Sequence, residues 1–332
     1  MSKAFTQYVK ILGRGKKGAR TLTVEEAEHA MSLMLTGQVA PEQLGAFWML
    51  IRIREETVYE TVGFTKATRE FLRQKETLDI TIDLDWPAYA GKRNELPWFL
   101  LAALALANSG IKVFMHGHAF EGEGRIYVDE AITALGLSVD NDLQQAKQHL
   151  QKDNFAFMPL ADIDNTLGRM MDLKYTLGLR SPVNTVVRMM NPFNATHSVH
   201  GVFHRGYDML HLSACEQLKD SSVLVFRGGN GEAEVNPERD VTLGKWQNGV
   251  ASWTGWPKAE TEHKRLKDQM DLSRLVDHWS GKQVDPFGEQ AVRQTIASVA
   301  GLIQGIASHD ECLALADEIW FKRDKSWLGA NQ

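Results

Sequence analysis

Residues 89–118, YAGKRNELPWFLLAALALANSGIKVFMHGH, decide the fold. Tyr89 and Ala90 read as the end of a strand, Gly91 to Glu95 as a short loop, and Pro97 to Asn108 as a helix with almost no polar residue. Ser109-Gly110 ends that helix, and Ile111 to Met115 form a short buried strand that delivers His116-Gly117-His118 to the next loop. A helix this apolar is stable only when it is covered, as it is against a parallel sheet, so the stretch is a βαβ unit of an α/β domain. Pro97 suits the first helical turn, and Asn94 or Glu95 is placed to cap it. The loop ahead of a helix N-terminus offers unpartnered N–H groups at the positive end of the helix dipole, which makes it an anion site. Lys92 and Arg93 add full positive charges there, so phosphate is the natural ligand. A loop that cradles a diphosphate closely usually spaces several glycines, whereas this one has only Gly91.

A chain of 332 residues with 43% hydrophobic and 24% charged residues has the composition of an ordinary globular protein with a large core. The formal charge of −5 confines any nucleic-acid site to a local basic patch. Cys215 and Cys312 are the only cysteines and stand in no CxxC spacing, which argues against a thiolate metal site or a disulfide framework. Residues 1–15 lack the apolar run of a signal peptide, and no apolar stretch is long enough to span a bilayer, so the expected location is the cytoplasm.

Residues 1 to about 75 read as helical. Thr23 and Glu26 form a capping box ahead of a stripe of Ala27, Ala30, Met31, Met34 and Leu35; Pro41 opens a second helix with Leu44, Phe47, Trp48 and Ile51 on one face; Thr57 and Glu60 start a third. On that third helix Lys66, Arg69 and Arg73 share a face, expected to be solvated. Before these helices lies Gly13-Arg14-Gly15-Lys16-Lys17-Gly18-Ala19-Arg20, an exposed, flexible loop that is either a solvated connector or a phosphate contact. From about Leu78 strands and helices alternate, which argues for a mostly parallel sheet wrapped by helices. Within 165–191 a helical pattern carries Lys174, Arg180 and Arg188 at intervals that could bring them together, and residues 241–256 have the turns and aromatics of antiparallel strands. The last part, from about Lys264 to Trp327, reads as helical.

The histidines His116, His118, His197, His200 and His204 lack the carboxylate spacing of a zinc site and are read as hydrogen-bonded residues. No GxSxG or Walker motif is present. Gly228-Gly229-Asn230-Gly231 reads as a turn, and Glu232 and Glu234 behind it are weak magnesium candidates. Phe203-His204-Arg205-Gly206-Tyr207, between a strand and a helix, is a second phosphate-competent loop with rings on which bases could stack.

The order of these features resembles the anthranilate phosphoribosyltransferase fold family, glycosyl transferase family 3. The resemblance rests on KVFMHGH at 112–118, LGLRSPVNTVVRMMNP at 177–192 and THSVHGVF at 196–203, and spans nearly the whole chain. Enzymes of this family are similar in holding the diphosphate of phosphoribosyl pyrophosphate on a GTGGD loop and magnesium on an Asp-Glu pair. The chain departs at both places, with Tyr89-Ala90-Gly91-Lys92-Arg93-Asn94-Glu95 in the loop and Ala233-Glu234 at the pair, and His118 stands where the family has asparagine. A nearer resemblance is to the nucleic-acid-binding side branch typified by the YbiB protein. Its GRGKxxAR loop is matched at 13–20, its YxGxR-like loop at 89–93, its FMP strand end at 157–159 and its Gly-Glu turn running into Asn-Pro at 231–237. That resemblance implies a homodimer through the helical module, with basic residues of both subunits facing a shared groove.

The expected fold is therefore α/β, a mostly parallel central sheet wrapped by helices with a smaller all-helical domain, of the nucleoside phosphorylase/phosphoribosyltransferase type. The expected division is a helical domain of residues 1–77, completed by part of 164–190, and an α/β domain of 78–332. The expected function is sequence-tolerant nucleic-acid binding without a cofactor. Arg14, Lys16, Lys17, Arg20, Gly91, Lys92, Arg93, His116, Lys174, Arg180 and Arg205 are the candidate phosphate contacts, with Arg188 a further one. The alternative is a magnesium-dependent phosphoribosyl transfer to a small nitrogen-containing acceptor.

Overall fold

The computed structural model describes residues 3–15, 17–75, 79–259 and 270–328. In chain order the elements are α1 (Lys3–Gly13), α2 (Val24–Leu35), α3 (Pro41–Arg54), α4 (Val58–Arg73), β1 (Leu84–Ala88), α5 (Trp98–Asn108), β2 (Val113–Gly117), α6 (Val128–Ala134) and α7 (Leu143–Lys152). There follow β3 (Phe155–Pro159), α8 (Leu160–Ile163), α9 (Asn165–Leu177), α10 (Val183–Arg188), β4 (His197–Val202), α11 (Tyr207–Leu218), β5 (Ser222–Arg227), β6 (Val241–Gln247), β7 (Val250–Trp256), α12 (Ser273–Ser280), α13 (Pro286–Gln304) and α14 (His309–Lys322). These divide into two compact units. One comprises Met1–Thr77, Leu160–Phe193 and Ser213–Asp220; the other comprises Leu78–Pro159, Asn194–Leu212 and Ser221–Gln332.

In the helical unit the expected caps form. Thr23 and Glu26 close one capping box and Thr57 and Glu60 another, so α2 and α4 start where side chains satisfy their first N–H groups. Glu60 does more than cap: its buried carboxylate also accepts from the Leu22 N–H and from Arg54. Gly63 lets α2 and α4 approach closely, because a Cβ there would lie 2.6 Å from Ala27 Cβ and 2.8 Å from Glu28 N. The solvated face expected on α4 is not continuous. Arg69 is largely covered, donating to the Met189 carbonyl and pairing with Asp220, because the 120-residue sequence separation hid that carbonyl from a local reading.

The α/β unit carries a seven-stranded sheet in the order β3-β2-β1-β4-β5-β6-β7. The first five strands of that order are parallel, and β6 and β7 continue it antiparallel. The hairpin between them turns at Asn248 and Gly249, both at positive φ (53° and 77°), as its two-residue turn requires. Helix α5 is buried from Trp98 to Ala107, which accounts for the absence of polar residues along it. It lies in the main core with Trp86 of β1, Met115 of β2 and Ile296 of α13. Strand order reverses at β1: the chain leaves it for β2 on one side, while β4 flanks it on the other. In open parallel sheets ligands bind beyond the carboxyl ends of the strands at such a reversal, so the loops after β1 and β4 are where a site belongs. Among the described residues no helix is long and apolar enough to cross a membrane.

Replacing Gly63 by valine is expected to overpack the α2–α4 contact and cost about 1–3 kcal/mol or more, read as a fall in thermal midpoint of the helical unit.

Candidate functional site

Beyond β1 the chain runs through Tyr89, Ala90 and Gly91, and all three are buried or nearly so. Gly91 has φ +67° and faces Tyr127, whose ring atom would lie 2.8 Å from any Cβ, so both conformation and space require glycine. The backbone N–H groups of Ala90 and Gly91 point to one acceptor, Oε1 of Glu232, at 2.7 and 2.6 Å. Arg125 donates to the carbonyls of the same two residues at 3.2 and 3.0 Å. The loop is then fixed by a pair of backbone bonds between Lys92 and Ile126.

Two residues further along its turn, the same segment that supplies Glu232 also supplies Glu234. Its Oε2 accepts from the Phe99 N–H at 2.8 Å, at the start of α5, and its Oε1 takes the Lys92 ammonium at 2.5 Å. Lys92 also reaches Glu95 Oε1 at 2.9 Å, and that oxygen accepts from Asn230 Nδ2 at 2.5 Å. Neither Asn94 nor Glu95 caps α5 as expected. Pro97 is the N-cap residue without a side-chain bond, and a carboxylate 135 residues away performs the task. The close approach is built on glycine: a Cβ at Gly229 would lie 2.7 Å from Lys92 Nζ, and one at Gly201 or Gly228 would collide with the backbone around Glu232.

The electrostatics follow from burial. Lys92 has no exposed surface and Glu234 has 1%. Burial pushes the Glu234 carboxyl from 4.5 up to about 7, with the Lys92 ammonium opposing the rise and the Glu95 carboxylate adding to it. For Lys92, burial lowers the pKa, but the two carboxylates more than offset it and the net direction is upward.

A second buried network holds the loop from below. Tyr89 Oη lies 2.6 Å from His116 Nδ1, His116 Nε2 lies 3.0 Å from Asp85 Oδ1, and Ser198 Oγ donates to Asp85 Oδ2 at 3.3 Å. Asp85, Tyr89 and Arg125 were not among the residues expected at the site. Asp85 and Tyr89 lie within or beside an apolar strand, and the bonds that tie Arg125 to the loop run to carbonyls 34 and 35 residues away.

Several expectations are thereby corrected. Lys92 and His116 are fully buried and engaged, so neither can meet a polymer phosphate; charge type was legible in the sequence and burial was not. Gly91 is also buried, and its N–H is spent on Glu232. Glu232 and Glu234 do not fit a magnesium site, because Glu232 Oε1 is held by two amides while Glu234 is held by an amide and an ammonium that would repel a dication. Among the described residues no group of three or more His, Cys, Asp or Glu could hold a metal.

Other candidates remain at the surface. Arg93 is exposed, and its carbonyl is 3.4 Å from Asn230 Nδ2. Gly231, next to Asn230, sits against the Phe203 and Ala90 side chains, so Arg93 and the loop after β4 share the carboxyl edge of the sheet. There Phe203 is 64% exposed, His204 and Arg205 are exposed, and the rings of Phe203, His204 and Tyr207 follow one another at 5.1 and 6.0 Å. Arg227, exposed at the end of β5, is a further cation of this edge that the sequence reading passed over. Asp208 bonds the N–H groups of Gly206 and Met209 at the start of α11, which spends part of that helix terminus.

In the helical unit Arg14 and Lys17 are exposed, while Lys16 lies outside the described residues. Arg20 is exposed but gives its guanidinium to Glu26 in a bidentate pair at 2.6 and 2.7 Å. The 13–20 loop is tied back on itself and to α1 by bonds to the Gly15 and Ile11 carbonyls, which a reading as a flexible connector did not anticipate. Lys174 is half-buried, and burial with the neighbouring Arg180 charge lowers its pKa, so those two cations do lie near one another. Arg188 is half-buried and donates to the Asn184 carbonyl.

Residues 6–72 match the helical bundle domain of a glycosyl transferase family, and residues 99–254 match its a/b domain. The chain belongs to this glycosyl transferase family. It is similar to the anthranilate phosphoribosyltransferase of Geobacillus kaustophilus, 26% identical over 78% of each chain. It is also similar to the YbiB protein of Escherichia coli, 25% identical over 71% of this chain and 74% of that one. Among solved structures, the anthranilate phosphoribosyltransferase of Thermus thermophilus superposes with a TM-score of 0.76 at 20% identity, covering 94% of both chains. The Saccharomyces cerevisiae enzyme in complex with PRPP and Mg gives 0.78 at 17% identity, over 96% of this chain and 94% of that one. The scaffold is thus phosphoribosyltransferase-like.

The raised Glu234 pKa carries a sign that can be measured. A carboxyl that binds its proton more tightly when folded contributes stability below pH 4.5 that is lost as pH rises through about 7. Wild type should therefore lose stability across that window, and Glu234→Gln should lack this loss in denaturant titrations at successive pH values. Lys92→Met should destabilise the fold by about 3–5 kcal/mol, because it strands buried carboxylates, as read by a lower denaturation midpoint at neutral pH.

Proposed function

We propose that the protein is a sequence-tolerant nucleic-acid-binding homodimer that uses the phosphoribosyltransferase-like scaffold without anthranilate phosphoribosyltransferase activity. One observation carries the reading. The amides of Ala90, Gly91 and Phe99, which would receive a small anionic ligand, are taken by Glu232 and Glu234 of the chain itself. Carboxylates in that position exclude a diphosphate by occupying its donors and by repelling its charge. Cations and rings meanwhile stand outside this plug. Arg93, Arg205 and Arg227 are exposed on the carboxyl edge with Phe203 and His204, a combination suited to phosphates and unstacked bases. Arg14 and Lys17 supply exposed charge in the helical unit, with Lys174 and Arg180 as a secondary cluster there.

A dimer contact through the helical unit is supported by exposed Ile53, Tyr59, Tyr175 and Leu179, large apolar side chains near the ends of α3 and α9 and the start of α4. The two thiols are free and buried, in keeping with a cytoplasmic protein. The competing reading, magnesium-dependent transfer to a small nitrogen-containing acceptor, draws on the relatives that carry the transferase name.

Binding to duplex DNA should weaken with salt at a log–log slope of about −0.9 per phosphate contacted. Arg93→Ala and Arg205→Ala should each flatten that slope by about one contact, and Phe203→Ala should weaken single-strand binding by about 1–3 kcal/mol. Calorimetry with phosphoribosyl pyrophosphate and magnesium separates the readings: tight metal-dependent binding with turnover would replace the polymer reading with the enzyme.

A further inference from the structure

The two edges of the seven-stranded sheet are finished differently. At the β3 edge Asp140 covers the strand: its N–H donates to the Phe157 carbonyl at 2.9 Å, its carboxyl lies beside the Phe157 N–H, and Pro159 ends the strand. At the other edge β7 pairs with β6 alone among the described residues. The two-residue turn makes Gln247 and Val250 the closing hydrogen-bonded pair. Alternation then turns the backbone groups of Ser252 and Thr254 towards β6 and those of Ala251, Trp253 and Gly255 outward. These three residues are exposed, and no described residue bonds their outward groups. Proteins usually guard such an edge with a charge, a proline or a bulge. Residues 250–256, VASWTGW, carry no charge and no proline, and their register against β6 runs without a skipped residue.

The strand's own pattern selects its occupant. About Trp253 the outward residues read small, Trp, small in either direction, with Ala251 on one side and Gly255 on the other. The Trp253 ring is laid over β6, since a Cβ at Gly244 would lie 2.7 Å from it, and so it leaves the edge clear. We propose that β7 pairs antiparallel with β7 of a second copy about a two-fold at Trp253, joining two sheets into one. In that register Trp253 faces its equivalent, Ala251 faces Gly255, and the outward N–H and C=O groups of all three are exchanged between the copies. Ser252 falls opposite Thr254, a pair whose hydroxyls can bond, and Val250, 62% exposed, falls opposite Trp256. Lys258, the first charge after the strand, falls opposite Asn248 and so meets no like charge. This contact is separate from the one proposed through the helical unit, and a chain using both would link dimers end to end.

The test uses the full chain. Hydrogen exchange followed by NMR should show the Ala251, Trp253 and Gly255 amides becoming protected as protein concentration rises, while sedimentation shows a species of twice the mass of the one present at low concentration. Ala251→Pro removes an outward N–H and leaves the ladder to β6 intact. It should weaken the association about tenfold or more and keep the Trp253 and Gly255 amides in fast exchange. Ser252→Lys, at an exposed position, sets like charges near one another across the joined strands and should act in the same direction. Ile53→Glu, which alters the exposed face of the helical unit, should leave the edge protection unchanged. The proposal is overturned if these amides exchange fast at every concentration, if they are protected in a species that sedimentation shows to be monomeric, or if both edge variants associate as wild type does. Should Ala251→Pro fail to fold, Ser252→Lys and the exchange of wild type still decide the matter.

Discussion

The Lys92 ammonium lies with no exposed surface between Glu234 and Glu95, and the conformation beyond β1 depends on that arrangement. A lone buried charge would be expelled or neutralised, so the lysine is tolerated only because two carboxylates meet it. Those carboxylates are tolerated in turn because amide N–H groups share them, a backbone one at Glu234 and a side-chain one at Glu95. Glu234 closes the first turn of α5 through Phe99, and Asn230 holds Glu95, so lysine, turn and helix start are mutually conditional. Glu232 extends the same logic to Ala90 and Gly91. The loop beyond β1 is thereby a closed structural joint whose amides at Ala90, Gly91 and Phe99 and whose Lys92 ammonium meet carboxylates of the chain itself.

The strand order and its reversal at β1 place loops at the carboxyl edge whatever they contain. What the loops offer depends on whether their amides are open or taken, and fold likeness does not report on that. Matches to transferases at 17–26% identity establish the frame and leave the chemistry to the residues in it.

Much of the frame was legible in the amino-acid order. The run from Phe99 to Ala107 has no polar residue and could only be a covered helix; the capping boxes at Thr23 and Thr57 mark real starts; Asn248-Gly249 marks a real hairpin. The site was legible in part. Glycine, lysine and glutamate were placed in the correct loops, but Lys92 was read as a phosphate contact and Glu234 as a weak magnesium candidate, when they belong to each other across 142 residues of sequence. Local pattern reports on neighbours along a strand or helix and is silent about pairings made by tertiary approach. Arg125, Arg69 and Asp85 were missed or misplaced for the same reason, since each is defined by carbonyls, carboxylates or imidazoles far along the chain.

The glycines that let the 228–234 turn press against Lys92 have a bearing on how such a joint can change over time. Removing Glu234 alone leaves an ammonium short of its counterion, removing Lys92 alone leaves acids facing one another, and enlarging Gly229 displaces both. Exchange between this loop and an open, glycine-rich one therefore has no smooth sequence of single replacements. The joint behaves as a ratchet, retained by the instability of its half-dismantled forms.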